Sequence, residues 1–184
     1  MRLFIGIPLQ PKVVGELSAI CKCLRSVRDG LRWSSPDSWH ITLQFLGETS
    51  GERYSCLVSR LRDLRSPGVS VQLEGLDCFD RVGVFFAGVN VSPELAHLQR
   101  LVTAATARCG FAPETRPYHP HVTLARVKGG AKRIQGMRDL KDKAGRAPRF
   151  TSFLAEEFLM YEAFLSPSGS RYEVRERFNL AASG

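Results

Sequence analysis

The stretch Trp39-His40-Ile41-Thr42-Leu43-Gln44-Phe45-Leu46-Gly47 returns later in the chain as Pro120-His121-Val122-Thr123-Leu124-Ala125-Arg126. Each copy sets a His, a β-branched apolar residue, a Thr and a Leu in a run that reads as a strand. Side chains in a strand alternate between faces, so His40, Thr42 and Gln44 are expected on one side and Ile41, Leu43 and Phe45 on the other. In the second copy His119, His121 and Thr123 point one way, Val122 and Leu124 the other. An imidazole and a hydroxyl are thus presented together, twice, on strands whose opposite faces look like core. One His on a strand is more often a bystander than a catalyst. Two copies with matching faces suit the holding of one small anion between two equivalent arms.

The 184 residues are enough for one compact domain, or two lobes sharing a core. The formal charge of +8 is the unusual feature, because summed positive potential attracts polyanions. Five cysteines, Cys21, Cys23, Cys56, Cys78 and Cys109, form an odd set without disulfide-framework spacing. Reduced thiols are the simplest expectation, and they point to the cytoplasm. The apolar run Leu3 to Leu9 is too short for a signal sequence or a membrane span.

Leu3 to Ile7 reads as a buried strand stopped by Pro8 and Pro11, after which Val13, Leu17, Ile20, Cys21 and Leu24 recur at helical spacing. Glu52 to Arg65 reads as an amphipathic helix. Val69 to Phe79 and Val82 to Val91 read as a hairpin through Asp80-Arg81. Pro93 and Glu94 open a helix with Leu95, Leu98, Val102 and Ala105 on its buried stripe, leaving His97 on the solvent side. Lys128 to Arg149 is basic and poor in apolar residues, so a solvated excursion with little to bury is expected there. Phe150 to Leu165 and Tyr172 to Leu180 read as a terminal hairpin. Turn-linked strands with helices between them argue for an α+β fold, and the spacing of the two motifs suggests two pseudo-symmetric lobes with a cleft lined by both.

A pair of imidazoles, one neutral and one protonated, can take a proton on one side of a phosphorus centre and give one on the other. The Thr hydroxyls can donate to the non-bridging oxygens, where charge accumulates. This scheme needs no cofactor. A metal site lacks carboxylate or Cys ligands at a sensible spacing. The chain also has no Gly-x-Ser-x-Gly, no P-loop and no dinucleotide fingerprint.

At these residues the sequence resembles the two-histidine (2H) phosphoesterase superfamily, and within it the RNA 2′,3′-cyclic phosphodiesterases, also called LigT-type 2′-5′ RNA ligases. The likeness runs from Arg2-Leu3-Phe4-Ile5-Gly6-Ile7 through both motifs, including Arg116-Pro117-Tyr118-His119, to the hairpin ending at Leu180. The resemblance implies one bilobal LigT-like domain over residues 1–184, of largely antiparallel sheet with outer helices. It implies hydrolysis of 2′,3′-cyclic phosphate ends of RNA to 2′-phosphomonoesters, with 2′-5′ ligation as the reverse chemistry. His40 would be the proton donor and His121 the acceptor, labels that could be exchanged, while Thr42 and Thr123 would hold the phosphoryl oxygens.

Among substrate-binding candidates, strict alternation puts Arg126 on the core face, so it needs a bulge or the strand's end to turn it toward the cleft and a phosphate. His119 is expected to orient His121 through a hydrogen bond, and Tyr118 either to stack a base or, by alternation, to pack in the core. Trp39 is expected in the core beside Ile41. Relatives commonly carry a Ser after the aromatic of the late strand, where this chain has Met160-Tyr161-Glu162-Ala163. The expected partner is an oligoribonucleotide with a cyclic phosphate end, with no membrane and no obligate protein partner, the protein acting as a monomer. The rival readings are a sister enzyme on small cyclic nucleotides or a cyclic phosphate of ADP-ribose, and a non-catalytic basic RNA-binding module.

Overall fold

In chain order the elements are β1 (Arg2–Pro8), α1 (Pro11–Leu24), β2 (Leu31–Trp33), β3 (His40–Glu48), α2 (Gly51–Arg62), β4 (Val69–Val71), β5 (Leu73–Phe79), β6 (Val84–Val89), α3 (Pro93–Ala107), β7 (His121–Val127), β8 (Phe153–Ala155), β9 (Glu157–Ser166) and β10 (Gly169–Asn179). They come from a computed structural model that describes residues 1–25, 30–127, 137, 139–143, 149–166 and 169–181. One sheet has the order β10-β9-β1-β3 and a second the order β2-β7-β6-β5, with every pairing antiparallel. Each sheet therefore carries one of the two His-x-Thr strands.

The helices begin where local chemistry starts them. Pro11 and Pro93 occupy first-turn positions that need no N–H partner, and the Ser50 and Ser92 hydroxyls accept from the backbone N–H of Arg53 and Leu95. Helix α1 buries Val13, Leu17, Cys21 and Leu24, and α3 buries Leu95, Leu98, Val102 and Thr106. These stripes join the inner faces of both sheets in one apolar core. A smaller cluster of Phe4, Leu159 and Tyr161 lies apart from it; Phe4 sits between Leu3 and Ile5, which face the main core. His97 is exposed on α3, as its spacing predicts.

Several expectations need correction. The run from Val69 to Phe79 is broken at Gln72, whose amide donates to the carbonyls of Leu73 (3.1 Å) and Phe150 (2.9 Å). That break lets β4 leave the hairpin and pair with β8. Strand β6 starts at Val84 because Gly83, at φ +63°, closes the turn before it. Helix α2 ends at Arg62 rather than Arg65, where Arg62 reaches Glu176 of β10 at 2.9 Å. The three-residue strand β2 was too short to read as one, yet it pairs with β7.

Most of the basic excursion, including Lys128, Lys132, Arg133, Arg138 and Arg146, lies outside the described residues, as do Pro167 and Ser168 of the terminal turn. Its described part does bury apolar surface: Met137 and Leu140 belong to the main core, and Lys141 pairs with Asp77 at 2.7 Å.

The cysteines are not all reduced. Cys56 of α2 and Cys109, just past α3, form a disulfide with their Cα atoms 5.8 Å apart, while Cys21, Cys23 and Cys78 are free. Sequence spacing conceals this pair because packing of α2 against α3 brings it together across 53 residues. The thiol argument for the cytoplasm falls with it. Among the described residues, no helix is long and apolar enough to cross a membrane. A cross-link closing a loop of this size is expected to contribute about 2–4 kcal/mol. In urea unfolding, the Cys56→Ser/Cys109→Ser protein should lose that amount and reductant should no longer move its midpoint; coincident curves for oxidised wild type and variant would contradict the pairing.

Candidate active site

The facing expected from strand alternation holds in both motifs only as far as the Leu. In β3, Thr42 pairs with Gly6 and Gln44 with Ile5, which leaves Leu43 as an extra residue. In β7, Thr123 pairs with Phe86 and Ala125 with Phe85, which leaves Leu124 extra. Each strand thus carries a β-bulge at the same place, and a bulge reverses the facing of everything after it. Leu43 and Gln44 are consequently both buried, as are Leu124 and Ala125.

Two expectations change for this reason. Gln44, expected beside His40, lies in the interior and accepts a hydrogen bond from the Thr106 hydroxyl at 2.8 Å. Phe45, expected in the core, is 71% exposed and borders the cleft. Arg126, its counterpart in the second motif, is turned out by a bulge rather than by the strand's end and borders the same cleft. The signal for the bulge was in the sequence, since a charged residue on the core face of a strand cannot stay there.

His40, Thr42, His121, Thr123, Arg126, His119 and Tyr118 all border one cavity of about 1250 Å³ between the two motif strands. The imidazoles are hung alike. His40 Nδ1 lies 2.8 Å from the Ser38 carbonyl oxygen, and His121 Nδ1 lies 2.8 Å from the His119 carbonyl oxygen. A carbonyl can only accept, so each Nδ1 carries the hydrogen and donates it. The tautomer is fixed on both rings, and each Nε2 is the nitrogen left for a ligand.

Aromatic rings enclose both imidazoles. Around His40 stand Phe4 at 4.6 Å, Tyr172 at 5.3 Å and Tyr161 at 5.5 Å between ring centroids. Around His121 stand Phe79 at 5.1 Å and Phe86 at 5.2 Å. Burial among these rings lowers the pKa of His40 to about 4, and the charges of His121 and Arg126 push the same way against the Ser38 carbonyl. His121 is also lowered, by burial first, with His119 and Arg126 adding to it. Both rings are therefore disposed to be neutral in the free protein.

Of the remaining candidates, the His119 side chain is exposed and edge-on to Phe79; the residue orients His121 through its carbonyl oxygen rather than its ring. Tyr118 is half-buried against the core, and its hydroxyl donates to the Thr42 carbonyl at 3.2 Å, tying the second motif to the first. Trp39 is buried as expected. In the late strand, Met160 is core, Tyr161 stacks on Phe4 at 4.8 Å, and Glu162 meets Arg175 at 3.5 Å. Phe45, Phe79 and Tyr172 also border the cleft and were missed, Phe45 because the bulge reverses its facing and the other two because the tertiary fold and not the motif brings them there. Among the described residues, no group of three His, Cys, Asp or Glu is placed to hold a metal ion.

Gly6 shows how tightly the first arm is built. A Cβ there would lie 2.8 Å from the Ile41 carbonyl oxygen and 3.3 Å from His40 Cδ2, so no side chain fits beside the ring.

A family model described as the 2′-5′ RNA ligase superfamily matches residues 10–161. The RNA 2′,3′-cyclic phosphodiesterase of Aeropyrum pernix is 28% identical over 176 residues, covering 94% of this chain and 99% of that one. The protein of the same name from Escherichia coli K12 is 29% identical over 181 residues, covering 97% and 96%. Among solved structures, E. coli LigT complexed with 3′-AMP superposes with a TM-score of 0.79 at 26% identity over 97% of each chain. TT0787 of Thermus thermophilus superposes with a TM-score of 0.76 at 27% identity over the whole of both.

The lowered His40 pKa makes a stability prediction. Between the unfolded value near 6.5 and the folded value near 4, the unfolded chain binds more protons, so stability present above pH 6.5 is lost as the pH falls. The full loss on reaching pH 4 is about 3 kcal/mol. In urea unfolding, His40→Gln should therefore gain on wild type as the solution is acidified from pH 7 to pH 4; a gap that stays constant would show that His40 is not held neutral.

Proposed function

The chain belongs to the 2′-5′ RNA ligase superfamily, and from that premise we propose that it opens the 2′,3′-cyclic phosphate at an RNA end to a 2′-phosphomonoester. The observation that carries the reading is the pair of identically hung imidazoles, each with Nε2 left free, on one cleft. The names of the relatives from A. pernix and E. coli support the substrate class.

In the proposed reaction His121 Nε2 takes a proton from water as the water oxygen bonds to phosphorus. The bond from phosphorus to the 3′ oxygen breaks, and protonated His40 gives that oxygen its proton from Nε2. Each positioned acid or base is worth about 10²- to 10⁴-fold in rate. Thr42 and Thr123 donate to the non-bridging oxygens, and the Arg126 guanidinium faces the same negative charge. With a 5′-hydroxyl end in place of water, the same ring opening forms the bond from the 5′ oxygen to phosphorus as the bond to the 3′ oxygen breaks; the 2′-5′ linkage keeps the energy of the cyclic ester, so no ATP is required. Both arms come from one chain, which supports action as a monomer.

His40 is neutral in the empty cleft, so it must acquire its proton together with the substrate. A bound phosphate anion favours this, since a negative charge beside an imidazole raises its pKa. Binding of a nucleoside 2′-phosphate at pH 7 should therefore take up protons, approaching one per site, seen as a dependence of calorimetric heat on buffer ionisation enthalpy. Heats that do not depend on the buffer would contradict the coupling.

The test of the activity is turnover of an oligoribonucleotide 2′,3′-cyclic phosphate in the presence of chelator. His40→Ala and His121→Ala should each lower kcat/KM by at least about 10²-fold. Undiminished turnover in both variants would end the proposal.

A further inference from the structure

We propose that Arg32 and Arg126 form a two-guanidinium clamp on two successive phosphates of the substrate strand, Arg126 on the reacting phosphate and Arg32 on the 5′ phosphodiester of the terminal nucleotide, so that the enzyme selects oligonucleotide over mononucleoside cyclic phosphates. The inference deepens the proposed function and rests on it.

Arg32 on β2 and Arg126 on β7 are register partners in an antiparallel pair, so their side chains leave the sheet on the same face. Leu31 and Trp33, either side of Arg32, pack against the core, which sends Arg32 to the opposite side. Both arginines border the cleft that holds His40, His121 and the two threonines. Like charges directly opposite on neighbouring strands are destabilising. Among the described residues, neither guanidinium has a carboxylate within ion-pair distance. Of the acids bordering the cleft, Asp80 accepts from Cys78 Sγ and Glu114 is held by Arg116.

An unfavourable pair kept in this position is explained by an anion at each of its members. The scissile phosphate accounts for one of them. Arg126 is near enough to the imidazoles for its charge to act on both, so it can face the reacting phosphorus. Arg32 stands one strand further out, about 4.8 Å across the sheet. That offset suits a neighbouring phosphate on the same strand. The planar fork of each guanidinium fits phosphate oxygens, and two forks flanking the strand would fix which sugar lies over the histidines. A nucleoside 2′,3′-cyclic phosphate with a free 5′-hydroxyl has nothing to offer Arg32.

The experiment compares kcat/KM for a dinucleotide ending in a 2′,3′-cyclic phosphate, for the same dinucleotide with an uncharged methylphosphonate link, and for the mononucleoside cyclic phosphate. Wild type should prefer the charged dinucleotide over each of the others by about tenfold or more, as expected for one charge-assisted contact. Arg32→Ala and Arg32→Gln should bring both ratios close to one, and Arg32→Lys should restore part of them. Ratios in the Arg32 variants equal to those of wild type, or no preference in wild type, would overturn the clamp while leaving the hydrolysis intact. A binding arm needs no turnover. Dissociation constants for the dinucleotide and mononucleoside 2′-phosphates should differ in wild type and converge in Arg32→Ala, so a dead enzyme that keeps this difference would refute hydrolysis and retain the clamp.

Discussion

A backbone carbonyl two residues upstream of each histidine decides what this cleft can do. By accepting from Nδ1 it holds the ring in one tautomer and one orientation, and it aims Nε2 away from the strand. The contact is local, spanning only two residues of chain, so it arises wherever the backbone leads into such a strand in extended form. Pro36 and Pro120 lie just before the two motif strands begin, and Trp39, between Ser38 and His40, is itself anchored in the core. The chemistry thus depends on two short segments whose backbones are set by burial on one side.

The bulges complete the device. Without them each motif would send the residue three beyond its Thr into the interior, and an arginine there would carry an uncompensated charge. With them, Phe45 and Arg126 emerge on the cleft side at equivalent positions. The two lobes are therefore alike in scaffold and unlike in chemistry: one offers an exposed ring, the other a cation. A symmetric frame that carries asymmetric side chains can tell one end of a nucleotide from the other, which two identical arms could not do.

Much of this was legible in the residues. The repeat of His, β-branched residue, Thr and Leu set the facing of both His and Thr pairs, because period-two alternation holds as far as the Leu. It failed after Leu43 and Leu124, since a bulge is created by pairing with β1 and β6 and leaves no mark in composition. Arg126 was the exception, its charge making the straight reading untenable. The Cys56–Cys109 pair and the three-residue strand β2 were hidden for a related reason: both are products of tertiary packing. Arg32, which β2 carries to the side of Arg126, was hidden with it. Met137 and Leu140 are buried although the segment around them has an average composition that reads as solvated.

In the proposed reaction both rings are locked in the Nδ1-protonated form and both Nε2 atoms meet one phosphate. Long-range 15N NMR of the histidine rings, taken before and after adding a nucleoside 2′-phosphate, tests it directly. The proposed reaction requires the Nδ1–H tautomer at His40 and His121 in the free protein and a shift of both Nε2 resonances at the same ligand concentration. An Nε2–H tautomer on either ring, or a ligand that moves one ring and leaves the other untouched, would contradict it.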